Sequence, residues 1–152
     1  MSETTQAQEY SSILVIGGGI SGMTAAIEAA EVGREVYLVE KDPYLGGRVA
    51  RMNQYFPKLC PPSCGLEINY RRIKQNPKIR LFTSTEVLSL SGKPGAFEVQ
   101  LKTAPAYVNE KCTACGECAK ACDVQITSEF DYGLKKTTAF FLPNQIAYPM
   151  RY

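Results

Sequence analysis

Residues 12–40, "SILVIGGGISGMTAAIEAAEVGREVYLVE", constrain this chain more than any other stretch. An apolar run stops at three glycines, a run of helix formers with closely spaced alanines follows to Gly33, and a second apolar run ends on Glu40. The periodicities are strand, helix, strand. Two parallel strands joined by a helical crossover take the right-handed path, and a parallel sheet is covered on its faces, so the expected class is α/β with a Rossmann-like doubly wound sheet. Gly17, Gly19 and Gly22 meet the spacing GxGxxG between strand and helix. The first permits a tight turn, the second lets backbone approach a pyrophosphate, and the third lets the helix pack against the strand. The helix N-terminus offers oriented N–H groups to phosphate charge. Glu40, eighteen residues after Gly22 and followed by Lys41, is placed to take hydrogen bonds from adenosine ribose hydroxyls. An acid there argues against a 2′-phosphate and hence against NADP, which leaves FAD or NAD.

The remainder divides into recognisable segments. Residues 1–11 read as a flexible arm, and 12–106 as the dinucleotide-binding domain. After "KDPYLGGR" comes a proline-rich loop, "YFPKLCPPSCG", then a helix-like "LEINYRRIKQNP" that Pro77 ends. "KIRLFTSTEVLSL" and "AFEVQLKT" alternate as strands around the turn "SGKPG". Residues 107–130 hold a cysteine-rich segment, and 131–152 an apolar, aromatic tail expected to lead into further chain.

Several function classes are excluded by what the chain contains. The 152 residues include no histidine, so an imidazole base, a Ser-His or Cys-His nucleophile and histidine-ligated zinc are ruled out. Seventeen Lys and Arg against fifteen Asp and Glu give a net charge of +2, too small a field to argue for nucleic acid. No run of eighteen apolar residues suggests a membrane span, and "MSETTQAQEYSS" lacks the basic start and apolar middle of a signal peptide. A cytoplasmic location is expected, which makes reduced thiols more natural than disulfides for the six cysteines.

Cys112, Cys115, Cys118 and Cys122 read C-x2-C-x2-C-x3-C, the ferredoxin spacing for a 4Fe-4S cluster. Backbone N–H groups can wrap a cluster while the thiolates reach the irons; zinc ribbons separate their paired cysteines by longer gaps. Asp123 replaces the usual proline, and only one copy of the run is present. The fourth ligand is therefore Cys122 or a remote cysteine. Cys60 and Cys64, in "LCPPSCGLEINY", are the other thiols, and three readings stay open for them: cluster ligands, a redox dithiol beside a flavin, or packed structural thiols.

In combination, the glycine turn with "EKDPYLGGR", the "FPKLCPPSCGLEINY" loop and "YVNEKCTACGECAKAC" resemble the family of A-type subunits of heterodisulfide reductase. "CPPSCG" leans toward the branch that serves quinone-interacting membrane-bound oxidoreductases. The resemblance runs from about Ser12 to the end and selects FAD. It implies that Gly46, Gly47 and Arg48 lie along the pyrophosphate and ribityl chain, as the glycine pair does in flavoproteins with two dinucleotide-binding domains, and that backbone near Val87 meets the adenine. The fold it implies is a partial FAD-binding sheet with an inserted ferredoxin-like 4Fe-4S segment. It implies a component of an oxidoreductase lying against the cytoplasmic face of the inner membrane, passing electrons between the quinone pool and adenylylsulfate reductase. Partners would be a haem-bearing membrane subunit together with a second flavin and iron-sulfur subunit. Two other functions stay in view: a heterodisulfide or thiol-disulfide reductase using Cys60 and Cys64, and a docking fragment whose cluster is structural.

Overall fold

The computed structural model describes residues 12–109 and 111–151, so the expected arm over 1–11 lies outside the described residues. Strand β1 (Ser12–Ile16) leads through helix α1 (Ile20–Glu31) to β2 (Glu35–Val39), and the long loop with helix α2 (Ser63–Gln75) leads to β3 (Ile79–Phe82). The three strands pair in parallel in the order β1-β2-β3, Val15 opposite Leu38 and Leu38 opposite Leu81. Both connections are the helical crossovers that parallel pairing demands.

Sheet periodicity decides what the helices cover. Val36 and Leu38 on β2 are fully buried, and Val15, Ile79 and Leu81 from the neighbouring strands pack beside them. Against this face α1 sets Met23, Ala26, Ile27 and Ala30, and α2 sets Leu66, Tyr70 and Ile73, both stripes at helical spacing. The helices touch each other, with Arg72 of α2 bridging Glu28 and Glu31 of α1 at 3.2 and 2.7 Å. They therefore lie on one side of the sheet, and the half that would make it doubly wound is not found among the described residues.

The alternating run from Lys78 is two strands rather than one. Ser84 takes a left-handed φ of 51°, its N–H donates to the Asp42 carbonyl at 3.0 Å, and the Thr85 hydroxyl donates to the Thr83 carbonyl at 2.8 Å. This corner sends β4 (Thr85–Lys93) out of the parallel sheet into an antiparallel hairpin with β5 (Ala96–Thr103). A register shift between Val87 and Ser89 keeps Val87, Leu90, Phe97, Val99 and Leu101 on one face.

Beyond the hairpin lie the short helix α3 (Glu117–Ala121) and a second hairpin of β6 (Gln125–Thr127) and β7 (Lys136–Thr138). The boundary expected at residue 130 falls inside this hairpin's connection. The tail after it does not stand away from the core: Ala147 is 3% exposed, Ile146 and Tyr148 pack against the buried cluster, and the Leu45 N–H donates to the Tyr148 carbonyl at 2.8 Å.

Candidate functional site

The turn between β1 and α1 is built from the backbone outward. Gly17 takes φ +102°, a conformation open to glycine, and its N–H donates to the Val39 carbonyl at 2.7 Å. A Cβ on Gly22 would run into the Gly17 carbonyl oxygen, so the first turn of α1 sits directly on the loop. Gly19 precedes the helix in extended conformation, and a Cβ there would meet nothing within 4 Å. No protein atom needs that glycine to be small; the open space before the helix N-terminus is where a phosphate would require it.

Glu40 closes this loop from below. It is 7% exposed; its Oε2 accepts the Gly18 N–H and its Oε1 accepts the Asp42 N–H at 2.8 Å. An ionised carboxylate has about four lone-pair sites, so this double backbone tie leaves acceptor capacity for hydroxyls. Lys41 beside it is exposed.

The glycine pair is brought onto the same loop. The Gly46 N–H donates to the Gly18 carbonyl at 2.8 Å, Gly19 and Gly46 form a parallel bridge, and a Cβ on Gly47 would stand 3.2 Å from the Gly19 Cα. Gly46 has φ +114°, and a Cβ there would lie 2.5 Å from the Tyr70 hydroxyl and 2.8 Å from the Ala50 side chain. Arg48 is exposed and opens a single 3-10 turn over Val49–Arg51. Val87 is half-buried inside β4, two residues beyond Thr85, whose N–H donates to the Glu40 carbonyl at 2.9 Å. It thus follows β3 and lies on β4.

Two site components carry no sequence motif of their own. Gly18 is the unconstrained middle residue of the GxGxxG pattern, yet a Cβ on it would collide with Leu45 and come within 3.0 Å of Glu40 Oε2. Its place inside an unbroken glycine triplet was the available signal. Tyr70 reaches across from α2 and its hydroxyl donates to the Leu45 carbonyl at 2.8 Å. Burial first, then the Tyr44 charge, pushes its phenol up to about 12. Only spatial proximity reveals it, since 25 residues separate the partners.

The six cysteines fall into two places, and no disulfide forms among them. Cys60 pairs with Tyr55 in an isolated antiparallel bridge, and Cys64 lies in the first turn of α2. The Tyr55 phenol is pushed up, first by charge on Cys60, then by burial, by its hydrogen bond with Cys60 and by charge on Cys64. In the later run the Ala114 N–H donates to Cys112 Sγ at 3.4 Å, and Ala114 and Gly116 both take left-handed φ, 56° and 84°. Among the described residues no three Cys, Asp or Glu side chains converge tightly enough to hold a single metal ion. The donor set fits a cluster in kind: Cys112 and Cys115 precede α3, Cys118 lies within it and Cys122 ends it, with a backbone N–H already aimed at the Cys112 sulfur.

Comparison with known proteins gives first the class. A family profile described as FAD dependent oxidoreductase matches residues 12–61, a span holding the glycine turn, Glu40 and the glycine pair. The crystal structure of L-proline dehydrogenase from P. horikoshii superposes on 64% of this chain and 20% of its own, with a TM-score of 0.50 at 23% identity, and so shares the fold. Profile and fold together define the class: the chain has a Rossmann-like fold and is similar to FAD dependent oxidoreductases over the matched span. It is 39% identical over 97% of its length to an iron-sulfur A-type subunit of the CoB–CoM heterodisulfide reductase of Methanopyrus kandleri, and 40% identical over 93% to the corresponding iron-sulfur subunit of Methanocaldococcus jannaschii. The chain belongs to this family, the A-type subunits of heterodisulfide reductase. It spans 23% and 22% of the length of those two relatives. No helix among the described residues is long and apolar enough to cross a membrane.

Proposed function

We propose that this chain is the part of an electron-transfer subunit that holds FAD in the glycine cradle and a 4Fe-4S cluster in the cysteine loop. The observation that carries the reading is the convergence of two distant glycine segments, tied by Gly46 to Gly18, around an open helix N-terminus backed by a buried carboxylate. When bound, FAD exchanges electrons in pairs and a 4Fe-4S cluster one at a time, which suits the pair to joining two-electron and one-electron traffic.

The residues' tasks are binding and orientation. Amides at the start of α1 bind the pyrophosphate, Gly19 and Gly47 leave room for it, Glu40 accepts the ribose hydroxyls, Lys41 and Arg48 add positive charge, and backbone at Val87 borders the adenine. Cys112, Cys115, Cys118 and Cys122 ligate the cluster, with the Ala114 N–H on the Cys112 sulfur moderating its charge. The relatives' names, which include "iron-sulfur", support this assignment. The finer reading, drawn from the setting of "CPPSCG", links the chain to a quinone-reactive, haem-bearing membrane partner, a second flavin and iron-sulfur subunit, and adenylylsulfate reductase, at the cytoplasmic face of the inner membrane.

A second reading is heterodisulfide or thiol-disulfide reduction. The relatives' names favour it, and Cys60 and Cys64 are the candidate thiols. The docking-fragment alternative drew on the apolar tail of residues 131–152, and Ile146, Ala147 and Tyr148 of that tail pack on the core.

Anaerobic reconstitution of the full chain with FAD, iron and sulfide tests the main reading. Flavin and cluster absorbance in equimolar amount is expected; Cys115→Ser or Cys118→Ser should abolish the cluster band and leave the flavin band. A preparation with neither cofactor would overturn it. Cys60→Ser with Cys64→Ser separates the two chemistries: retained electron transfer through both cofactors excludes the dithiol.

A further inference from the structure

The loop that carries the glycine pair is held by two groups far apart in the chain, one on α2 and one in the tail, both acting on the residue before it. The Leu45 carbonyl accepts the Tyr70 hydroxyl at 2.8 Å, and the Leu45 N–H donates to the Tyr148 carbonyl at 2.8 Å. The two tyrosine rings stack, centroids 5.9 Å apart and 29° between planes. Tyr70 is 5% exposed and Leu45 fully buried, so neither peptide group has water as a substitute partner. The hydroxyl also stands where a Cβ on Gly46 would be, and Gly46 is the residue whose N–H reaches the Gly18 carbonyl. A rigid path therefore runs from α2 and the tail, through Leu45, to the backbone of the phosphate-binding turn.

We infer that Tyr70 is a positioning residue for the dinucleotide site and that the tail at Tyr148, which follows the cysteine loop in sequence, completes the same clamp. The inference rests on the flavin reading for its consequence, and on the clamp geometry alone for its first test. Both peptide groups of Leu45 are fixed, which sets the direction in which Gly46 and Gly47 face Gly18 and Gly19. Removing the Tyr70 hydroxyl frees the Leu45 carbonyl and lets the pair swing while the ring still fills its place in the core. The tail is tied to the glycine-pair loop by backbone contact, through the Leu45 N–H on the Tyr148 carbonyl.

Tyr70→Phe in the full chain is the test, with Tyr37→Phe, whose ring stacks on Phe82, as control. In the absence of flavin, amide exchange at Leu45 and Gly46 should rise about tenfold, the equivalent of one lost buried hydrogen bond. Amides inside α1 and β2, and the thermal midpoint apart from a small shift, should stay as in the wild type. FAD titrated by fluorescence quenching should then bind about tenfold more weakly to Tyr70→Phe, on the same energetic grounds, and normally to the control. Unchanged exchange at Leu45 and Gly46 would overturn the clamp. Raised exchange throughout α1 and β2 would make Tyr70 a general core residue and overturn it equally. If exchange rises locally while wild-type protein takes up no FAD, the clamp stands and the flavin reading falls; local loosening with unaltered FAD affinity refutes the positioning role.

Discussion

Gly18 shows how much of this site is decided by single atoms. Its hydrogen faces Leu45 and Glu40 where any side chain would collide, and its N–H and carbonyl serve Glu40 and Gly46. Gly18→Ala should therefore destabilise the chain by about 1–3 kcal/mol, the usual cost of overpacking, and weaken FAD binding further; chemical denaturation and flavin titration measure the two effects. Glu40→Gln keeps the shape but places an NH2 or a weaker acceptor against backbone N–H groups, with an expected loss of about 1.5–3 kcal/mol for hydrogen bonds to a charged group. At Tyr70 the folded protein raises the phenol above its ordinary 10, to about 12. A raised value means the folded state favours the protonated form, so this contribution is complete below pH about 10 and disappears as pH climbs through about 12. Tyr70→Phe should lack that alkaline loss, as unfolding followed against pH would reveal.

The elements explain why some segments were legible and others were not. Strand β1, helix α1 and strand β2 announce themselves by an apolar run, an i, i+3, i+4, i+7 stripe and a second run; their tertiary partners agree with these local preferences. The run from Lys78 to Leu90 holds two apolar stretches, 79–82 and 87–90, around the polar residues 83–86, and that polar gap does not by itself tell a corner from an exposed stretch of one strand. The corner exists because the Asp42 carbonyl waits there for the Ser84 N–H, a contact from a different part of the chain. Helix α2 is fixed on α1 chiefly by Leu66, Tyr70 and Ile73, so Leu66→Ala should cost about 2–5 kcal/mol in thermal or denaturant unfolding. The Arg72 bridges to Glu28 and Glu31 are exposed, and Arg72→Ala should cost little, an effect that fades in high salt. Hydrogen bonding to Arg72 holds the Glu31 carboxyl below its usual range, so this small contribution is present above the ordinary carboxylate pKa and is lost as pH falls through the lowered one.

Taken whole, the molecule is a half-covered parallel sheet with two hairpins and a returning tail. A chain ending after Phe141 would lack the Tyr148 carbonyl and the Tyr70–Tyr148 stack, and should unfold about 2 kcal/mol more easily, a hydrogen bond and a ring pair combined. Comparing its denaturant midpoint with that of the full chain tests this. The candidate site residues are legible as motifs: glycines at GxGxxG spacing, an acid at the end of the second strand, the glycine pair, and four cysteines at ferredoxin spacing each stand out within a few positions, because local backbone geometry or ligand reach restricts which residues can serve such roles. The tertiary structure alone decided that Glu40 binds the glycine turn as well as facing it, that Gly18 and Tyr70 belong to the site, and that an apolar tail closes on Leu45 instead of trailing away. Those contacts join residues 22 to 103 positions apart, and no local periodicity records a hydrogen bond across such a distance.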